Sequence, residues 1–569
     1  MSKYSERFWK KSWDPGVDDV DPKEWNITVH EALKNSLTDY SDKMAIAFQG
    51  LEITFGEIDK KSNQFARMLI ENGFKKGDII GINLANIPEY IYALIGSLKA
   101  GCIVSGVSPL LSDVQMHYQL NDLGAGKNKV ALVTLDAIFQ HRLTNIASKL
   151  PDLKIVVVTS VIGAFSKEDQ AKIRAVKEIP FGEVTPLEDK TVLDFWDDII
   201  AKYSDEPVDV EVTPDDIAFI QYTGGTTGPP KGAELTHKNM VSQFILILEW
   251  LKWDRGKGVA LSGFPLFHGA GLAFCLDVMN IGMSQVLIPD PRDTMHICNE
   301  IKKYKPILLV NVPSLYQLLL NTRKFKRLDH SYLKNCISGA SPFPAESQKH
   351  LEDIVGKGKL LELYGMTETS PVTVMNPDKG ERRLGWIGLP LPNTKVKLVD
   401  PETKEEVPIG EPGEICVKGP MVMKGYHNKL EETKNVIDVD GYIHTGDVAI
   451  MDEKGYLKIV DRTKDMIIVS GFKVFSAKLE DKLSEHPAIG MIATIGIPNP
   501  DRPGSEYVKA YIQLDPDYEY DGNEEALKED IIKFAKENCS PYEVPKFIEF
   551  SEELPLTVVG KVDKKVLRQ

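Results

Sequence analysis

The stretch that follows residue 222 combines the residue types that bind a polyphosphate. Its glycines permit positive φ angles and a close approach of the backbone to a ligand, and consecutive backbone N–H groups in such a turn attract anions. Its threonine hydroxyls add hydrogen-bond donors, and its lysine adds a positive charge. Because Gly232 follows that lysine, the stretch is not the GxxxxGK[ST] P-loop. The residues of this predicted phosphate site are Thr223, Gly224, Gly225, Thr226, Thr227, Gly228 and Lys231.

Further side chains could serve the same chemistry, although each has an ordinary structural interpretation when it is taken alone. Glu368 follows a predicted strand, where α/β sheets place ligands, but a single glutamate is usually a solvated surface residue. Tyr364 is suited to stacking on a base or to packing in a core. Asp447 follows a glycine, as turn residues often do. Lys561 lies in a lysine-rich tail, and His268 interrupts an apolar stretch.

The apolar pattern of the chain predicts the scaffold for these residues. From about residue 45 to about residue 365, apolar runs alternate with amphipathic ones, which is typical of parallel sheets with helices on both faces. The predicted strands include residues 78–85, 155–159, 217–222, 307–312 and 360–364, and the predicted helices include residues 88–100, 237–251 and 313–320.

The pattern changes after about residue 387, where short strands broken by Gly, Pro and Asn predict an antiparallel barrel or sheet. The C-terminal end predicts a small α+β unit. We therefore expect an α/β protein with a large N-terminal domain of two helix-covered sheets plus a small barrel, followed by a small mobile α+β C-terminal domain. The predicted N-terminal domain is residues 1–461, with its barrel-like part at about 385–461; the predicted hinge is residues 462–464, and the C-terminal domain is residues 465–569.

Composition excludes several classes of protein. The net charge of −15 would repel a phosphate backbone, so we expect no nucleic-acid partner. The six cysteines form no CxxC pair, and the N-terminus lacks the apolar run of a signal peptide, which favours a reducing, cytoplasmic location. The most apolar stretch, residues 263–289, contains polar breaks and predicts a buried core. Peripheral membrane contact remains open, as does the choice between monomer and homodimer.

Five motifs in chain order resemble those of the adenylate-forming superfamily, which includes acyl- and aryl-CoA synthetases, firefly luciferase and peptide-synthetase adenylation domains. They are YTGGTTGPPKG at residues 222–232, YGMTE at 364–368, TGD at 445–447, DRTKD at 461–465 and LPLTVVGKV at 554–562. Two weaker matches accompany them, SGASP at residues 338–342 and PLFHG at 265–269.

The resemblance implies a role for each candidate residue in binding ATP or AMP. It implies that Glu368 and Thr223 hold Mg²⁺, and that Lys561 neutralises charge during adenylate formation. His268 is implied in gating or on the carboxylate side of the acyl pocket. The residues implied around adenine are Gly339, Ala340, Ser341, Tyr364, Gly365, Met366 and Thr367, and those around ribose are Asp447, Ile459 and Arg462.

The same resemblance implies a second catalytic arrangement, in which coenzyme A is the co-substrate. Lys464 corresponds to the hinge about which the C-terminal domain rotates. The loop that would then guide the CoA thiol is Ser470, Gly471, Phe472 and Lys473. This chain departs from the family pattern there, with Lys473 in place of Asn, Ser476 in place of Pro and Lys478 in place of Glu.

The sequence thus predicts an ATP-dependent carboxylic acid–CoA ligase that forms acyl-CoA, AMP and pyrophosphate through an acyl-adenylate. The opening WDPGV at residues 13–17 resembles fatty acyl-CoA ligases, so a medium- to long-chain fatty acid is the first expectation. An aryl or alicyclic acid is the alternative substrate. Alternatives of another class are an adenylation domain that loads a carrier protein, a luciferase-type oxygenase, and a non-catalytic module that binds AMP or an acyl group.

Overall fold

The computed structural model describes residues 3–223, 229–470, 472–500, 502, 505–516, 518–520, 522–556 and 562–568. The chain divides into two compact units. The large unit consists of Trp9–Lys395 and Lys418–Gly441, and the small unit consists of Met1–Phe8, Val396–Val417 and Tyr442–Gln569. The domain boundaries and the hinge at residues 462–464 stay predictions.

The large unit contains two sheets whose central strands run parallel. Among the described residues, the first sheet has nine strands in the spatial order Leu389–Pro390, Val372–Met375, Leu360–Gly365, Asn335–Ser338, Leu308–Asn311, Val259–Ser262, Ser284–Leu287, Met44–Phe48 and Leu51–Thr54. Over the same described ranges, the second sheet has eight, in the order Gly425–Tyr426, Lys231–Thr236, Ile217–Thr223, Ile103–Gly106, Ile79–Asn83, Val130–Leu135, Leu153–Thr159 and Thr191–Asp194.

Helices cover these sheets, and several begin where the sequence supplies a capping residue. Thr54 and Thr236 each accept a hydrogen bond from the third helical backbone N–H, and the side chain at that position bonds back to the threonine N–H. Pro88–Lys99 is buried on nearly all sides, in keeping with its mostly apolar sequence. The longer helices are Val29–Asp39, Phe55–Glu71, Pro88–Lys99, Asp113–Gly124, Lys167–Val176, His237–Leu251, Gly269–Asn280, Thr294–Tyr304, Pro313–Asn321, Ala345–Val355 and Leu430–Val436.

The small unit is built mostly from antiparallel strands, with one parallel pair between Glu506–Leu514 and Phe547–Phe550, and from helices. Its first sheet contains Lys395–Val399, Gly413–Lys418, Ile443–Met451 and Leu457–Arg462, and its C-terminal sheet contains Ile489–Pro498, Glu506–Leu514 and Phe547–Phe550. A hairpin joins Ile467–Val469 to Phe472–Val474, and the helices are Ser476–Leu483, Glu524–Asn538 and Lys564–Leu567. Its apolar core is formed by one face of Ser476–Leu483 and of Glu524–Asn538 against the C-terminal sheet.

The predicted fold class is confirmed: helix-covered sheets precede a smaller α+β region, and the predicted strands and helices agree closely with the observed ones. The segment predicted as a barrel contains the four-stranded sheet of the small unit. Mobility of the C-terminal region stays a prediction. Within the described ranges, we find no helix with the length and apolarity required to traverse a bilayer.

Candidate functional site

The predicted phosphate segment joins two strands of a hairpin. Ile217–Thr223 and Lys231–Thr236 are antiparallel, and their register places Thr223 opposite Lys231. The hydroxyl of Thr223 donates to the carbonyl oxygen of Lys231 at 3.4 Å. The strand pairing therefore brings the first and last residues of the predicted site together. The five residues between them that the motif supplies, Gly224, Gly225, Thr226, Thr227 and Gly228, lie outside the described residues.

A buried tyrosine connects the predicted magnesium ligand to the phosphate lysine. Glu368 lies in the one-turn helix Thr367–Thr369, is 5% exposed, and accepts a hydrogen bond from the hydroxyl of Tyr426 at 2.7 Å. The ammonium of Lys231 lies over the ring of the same Tyr426, 5.2 Å from its centroid, and pairs with Glu432. Tyr426 thus separates Lys231 from Glu368 while it contacts both.

The fold fixes Tyr426 through its own strand and through the backbone that precedes it. Gly425–Tyr426 is an edge strand that pairs with Lys231–Thr236. The side-chain amide of Asn239, in the first turn of the following helix, donates to the carbonyl oxygens of Pro420 and Val422 at 2.7 and 2.9 Å. Sequence reasoning missed Tyr426, because a lone Gly-Tyr pair far along the chain carries no chemical signal until the strand pairing is known.

The residues predicted around adenine lie at the carboxyl ends of two neighbouring strands. Asn335–Ser338 and Leu360–Gly365 are parallel, so the loops after them meet at one edge of the sheet. A Cβ on Gly339 would lie 2.4 Å from Leu363, and one on Gly365 would lie 1.7 Å from the carbonyl oxygen of Pro371. Position 365 therefore requires glycine, because the clash is with the backbone, whereas a side chain at position 339 would require Leu363 to move. The structure brings the whole predicted set together here: Gly339, Ala340, Ser341, Tyr364, Gly365, Met366 and Thr367.

The His268 loop reaches the same edge. His268 precedes the helix Gly269–Asn280 and caps it, since its Nδ1 accepts from the backbone N–H of Ala270 at 3.3 Å. A Cβ built on Gly269 would lie 3.4 Å from the hydroxyl of Thr367, so this loop abuts the YGMTE motif. The His268 side chain is accessible, but desolvation by the surrounding protein lowers its pKa. Because Nδ1 accepts this hydrogen bond, the neutral form of the ring carries its proton on Nε2.

The second sheet holds that loop from the other side. The side chain of Asn86 donates to the carbonyl oxygen of Phe264 and accepts from the backbone N–H of Leu266. The hydroxyl of Tyr90 donates to the carbonyl oxygen of Leu266 at 2.9 Å. The loop that contains His268 is thus fixed between the carboxyl ends of both sheets of the large unit.

The residues predicted at the ribose form one cluster in the small unit. Asp447 and Arg462 are partners on the adjacent strands Ile443–Met451 and Leu457–Arg462, and the guanidinium Nε lies 3.1 Å from the carboxylate. Ile459 lies on the second strand, opposite Ala449. Spacing along the sequence suggested this association, and the strand register accounts for it.

A carboxylate beneath this cluster holds the TGD turn. Glu414 accepts a hydrogen bond from the backbone N–H of Gly446 at 3.1 Å and also contacts His444 at 3.0 Å and Lys404 at 3.1 Å. Cys416 completes a group with the donor types of a metal site. Because both oxygens of Glu414 already bind protein donors, we assign this group to support of the turn.

The predicted hinge and CoA loop also lie in the small unit. Burial lowers the pKa of Lys464 to about 8. The ammonium of Lys473 pairs with Asp400 at 2.7 Å, and the ring of Phe472 stacks on Tyr542 with centroids 4.7 Å apart. Ser470 accepts a hydrogen bond from Arg502. In this conformation Lys473 is therefore neutralised by a carboxylate of the chain. Gly471 and Lys561 lie outside the described residues.

Comparison with known proteins identifies the class to which this fold and site belong. The AMP-binding enzyme family matches residues 33–427, and the AMP-binding enzyme C-terminal domain matches residues 478–561. The chain belongs to the AMP-binding enzyme family, as the motifs predicted.

Individual relatives match over nearly the full length. The chain is 36% identical to a long-chain-fatty-acid–CoA ligase of Salmonella typhimurium, with 99% of this chain and 98% of the relative covered. Among solved structures, the anthranilate CoA ligase AuaEII in complex with anthranoyl-AMP matches with a TM-score of 0.82 and 25% identity, over 96% of this chain and 98% of that one. ATP-bound MatB from Rhodopseudomonas palustris matches with a TM-score of 0.80 and 26% identity, over 95% and 98%.

Proposed function

We propose that this enzyme is an acid–CoA ligase that activates medium- to long-chain fatty acids as acyl-adenylates and transfers the acyl group to coenzyme A. Its likeness to a long-chain-fatty-acid–CoA ligase extends over both family regions, and the anthranoyl-AMP and ATP of the two solved relatives support an adenylate route. The observation that carries the proposal is the cluster of Lys231, Tyr426 and Glu368, which lies beside the carboxyl ends of the strands Ile217–Thr223 and Leu360–Gly365.

In the first half-reaction, a carboxylate oxygen of the acid attacks the α-phosphorus of ATP, and the bond to pyrophosphate breaks. The products are acyl-AMP and pyrophosphate. Lys231, at the end of the phosphate hairpin, stabilises negative charge on the phosphates, and Lys561 neutralises charge at the α-phosphate and the acid. The tight loops at Gly339 and Gly365 give the flat base close access to the backbone. Holding the two reactants in line supplies much of the rate enhancement.

The donor set at Glu368 fits magnesium. Mg²⁺ prefers oxygen ligands, and the carboxylate of Glu368 is buried, is oriented by the Tyr426 hydroxyl, and lies in a turn that contacts the strands of Thr223 and Lys231. Glu368 and the hydroxyl of Thr223 would hold the ion, and the ion would neutralise part of the phosphate charge. Tyr426 keeps the carboxylate in place for that role.

In the second half-reaction, the thiol of coenzyme A attacks the acyl carbon and AMP leaves. We assign the pivot for this step to Lys464 and the thiol-guiding loop to Ser470, Gly471, Phe472 and Lys473. Lys473 would exchange Asp400 for a phosphate of coenzyme A. Its pairing with Asp400 supports this assignment, because the ion pair holds the side chain in one position until the substrate arrives.

The substrate assignment is tested by pyrophosphate release over straight-chain acids from C2 to C18 and over aryl acids, with coenzyme A present. We expect the highest kcat/KM for acids of medium to long chain. Preference for benzoate-type acids would instead support the aryl-acid alternative, which the likeness to an anthranilate CoA ligase favours. If none of the tested acids caused pyrophosphate release, both substrate assignments would be contradicted.

The division of labour is tested with two variants. Lys561→Ala should abolish acid-dependent ATP–pyrophosphate exchange but spare thioester formation from supplied acyl-AMP. Lys464→Pro should do the reverse, because a rigid hinge blocks the second arrangement. Equal loss of both half-reactions in Lys561→Ala, or unchanged overall turnover in Lys464→Pro, would contradict the assignment.

A further inference from the structure

A second lysine of the C-terminal tail is anchored in the interior of the small unit. The ammonium of Lys564 lies 2.7 Å from the carboxylate of Glu480 and 2.7 Å from the hydroxyl of Ser476, and its side chain is only 15% exposed. A tail lysine is ordinarily a mobile, solvated group. Burial of this ammonium against two fixed acceptors instead gives it one defined position.

The acceptors of Lys564 are themselves fixed by the sheet and by the strand that precedes the predicted hinge. Glu480 also accepts from the backbone N–H and the hydroxyl of Thr494. Ser476 donates from its backbone N–H and its hydroxyl to Asp461, which is 3% exposed. The network therefore connects the tail to the helix Ser476–Leu483 and to the start of the hinge motif.

The same contacts lie at the base of the segment that contains Lys561. Leu556 and Val562 form a bridge between the two sides of that segment, and the backbone N–H of Asp563 donates to the carbonyl oxygen of Pro555 at 2.7 Å. Lys564 follows directly, as the first residue of the helix Lys564–Leu567. The hydrogen bond from Tyr511 to the carbonyl oxygen of Leu567 holds the end of that helix.

We propose that Lys564 is a positioning residue for adenylation, which fixes the base of the Lys561 segment by binding Glu480 and Ser476. This inference rests on the role assigned to Lys561 in the proposed function. Neighbouring Lys565 offers a matched contrast, because its side chain is exposed. Displacement of a catalytic group by about 1 Å can cost about a hundredfold in rate, so the position of the anchor affects chemistry as well as folding.

The experiment compares Lys564→Met, Lys564→Arg and Lys565→Met in the full chain, with both half-reactions and the melting temperature measured. We expect Lys564→Met to lower acid-dependent ATP–pyrophosphate exchange about ten- to hundredfold and to change thioester formation from supplied acyl-AMP less than about twofold. Lys564→Arg should recover most of the exchange, because a guanidinium reaches the same acceptors. Lys565→Met should match the wild type.

Because Lys564→Met leaves the carboxylate of Glu480 buried without its cation, the double variant Lys564→Met/Glu480→Gln separates misfolding from loss of position. The double variant should have a melting temperature near that of the wild type, but its ATP–pyrophosphate exchange should stay low. Equal loss of both half-reactions in the double variant, or normal exchange in Lys564→Met, would overturn the proposal. Normal ATP–pyrophosphate exchange in Lys561→Ala would contradict the role proposed for Lys561, and this inference would fail with it. Loss of exchange in Lys561→Ala together with normal exchange in Lys564→Met would refute only the positioning role of Lys564.

Discussion

Two charged clusters of this enzyme use opposite arrangements. In the large unit, a neutral tyrosine ring lies between the cation of Lys231 and the carboxylate of Glu368. In the small unit, the ammonium of Lys564 contacts Glu480 directly. The pair of Lys564 and Glu480 lies in the interior and is largely committed to holding the fold, whereas Lys231 pairs with Glu432, which is 45% exposed, and can exchange that partner for a phosphate. The comparison predicts that the cluster of Lys231 and Glu368 acts directly on the bound nucleotide, and that the cluster of Lys564 and Glu480 acts by positioning the C-terminal tail.

The largest effect is expected from Lys231→Ala. Removal of this ammonium should lower acid-dependent ATP–pyrophosphate exchange by about a hundred- to a thousandfold, since it stabilises phosphate charge in the transition state. Lys238→Ala, in the first turn of the next helix, is the matched control and should exchange normally. Equal effects of the two substitutions would show that Lys231 acts only through net charge.

The pH dependence of stability tests the buried cluster. Burial raises the pKa of Asp461 to about 6, despite the opposing charge of Lys564. The folded chain therefore holds this proton more tightly than the unfolded chain does, so its contribution to stability is complete below about pH 4 and is lost as the pH rises through about 6. Relative to Asp461→Asn, the wild type should lose about 2–3 kcal/mol of unfolding free energy between pH 4 and pH 7.

Urea denaturation of both chains at each pH provides that measurement. A difference between wild type and Asp461→Asn that is constant from pH 4 to pH 7 would mean that Asp461 does not titrate in this range. A difference of the opposite sign would mean that Lys564 dominates and keeps the carboxylate charged.

The tyrosine between Lys231 and Glu368 is tested with Tyr426→Phe. This change keeps the ring beneath Lys231 and removes only the hydroxyl that orients Glu368, so exchange should fall about tenfold and the Mg²⁺ concentration for half-maximal exchange should rise. Calorimetry should show weaker Mg²⁺-dependent binding of ATP. Tyr316→Phe removes a buried hydroxyl elsewhere in the large unit and should lower stability without changing the Mg²⁺ requirement. An unchanged Mg²⁺ requirement in Tyr426→Phe would remove Tyr426 from the site.

The smallest effect is expected from Glu432→Gln. Glu432 pairs with Lys231 and competes with the phosphates for its charge, so neutralising it should lower the KM for ATP about two- to threefold. Glu431→Gln is the control, because Glu431 is exposed and pairs with Lys434 instead. A KM that rises in Glu432→Gln would show that Glu432 assists nucleotide binding rather than competing with it.

The fold was largely predictable because the sequence patterns that determine its strands and helices extend over only a few residues. The apolar strands that end at residues 222 and 364, the helix that starts after Thr236 and the strand pattern after residue 387 all follow from periodicity and capping. The candidate site was predictable only where a motif keeps its residues close along the chain, as in YGMTE. Tyr426 and Asn86 carry no such signal, because their importance comes from hydrogen bonds to residues more than fifty positions away.

The sequence by itself determined which residue types are available for binding a nucleotide, the family and the order of strands and helices, since each depends on neighbours within a few positions. Only the tertiary structure decided which charges meet. It separates Lys231 from Glu368 with Tyr426, pairs Lys473 with Asp400 and buries Lys564 against Glu480. The physical reason is that electrostatic energy depends on distance and burial, and both are set by strand register and packing across the whole chain.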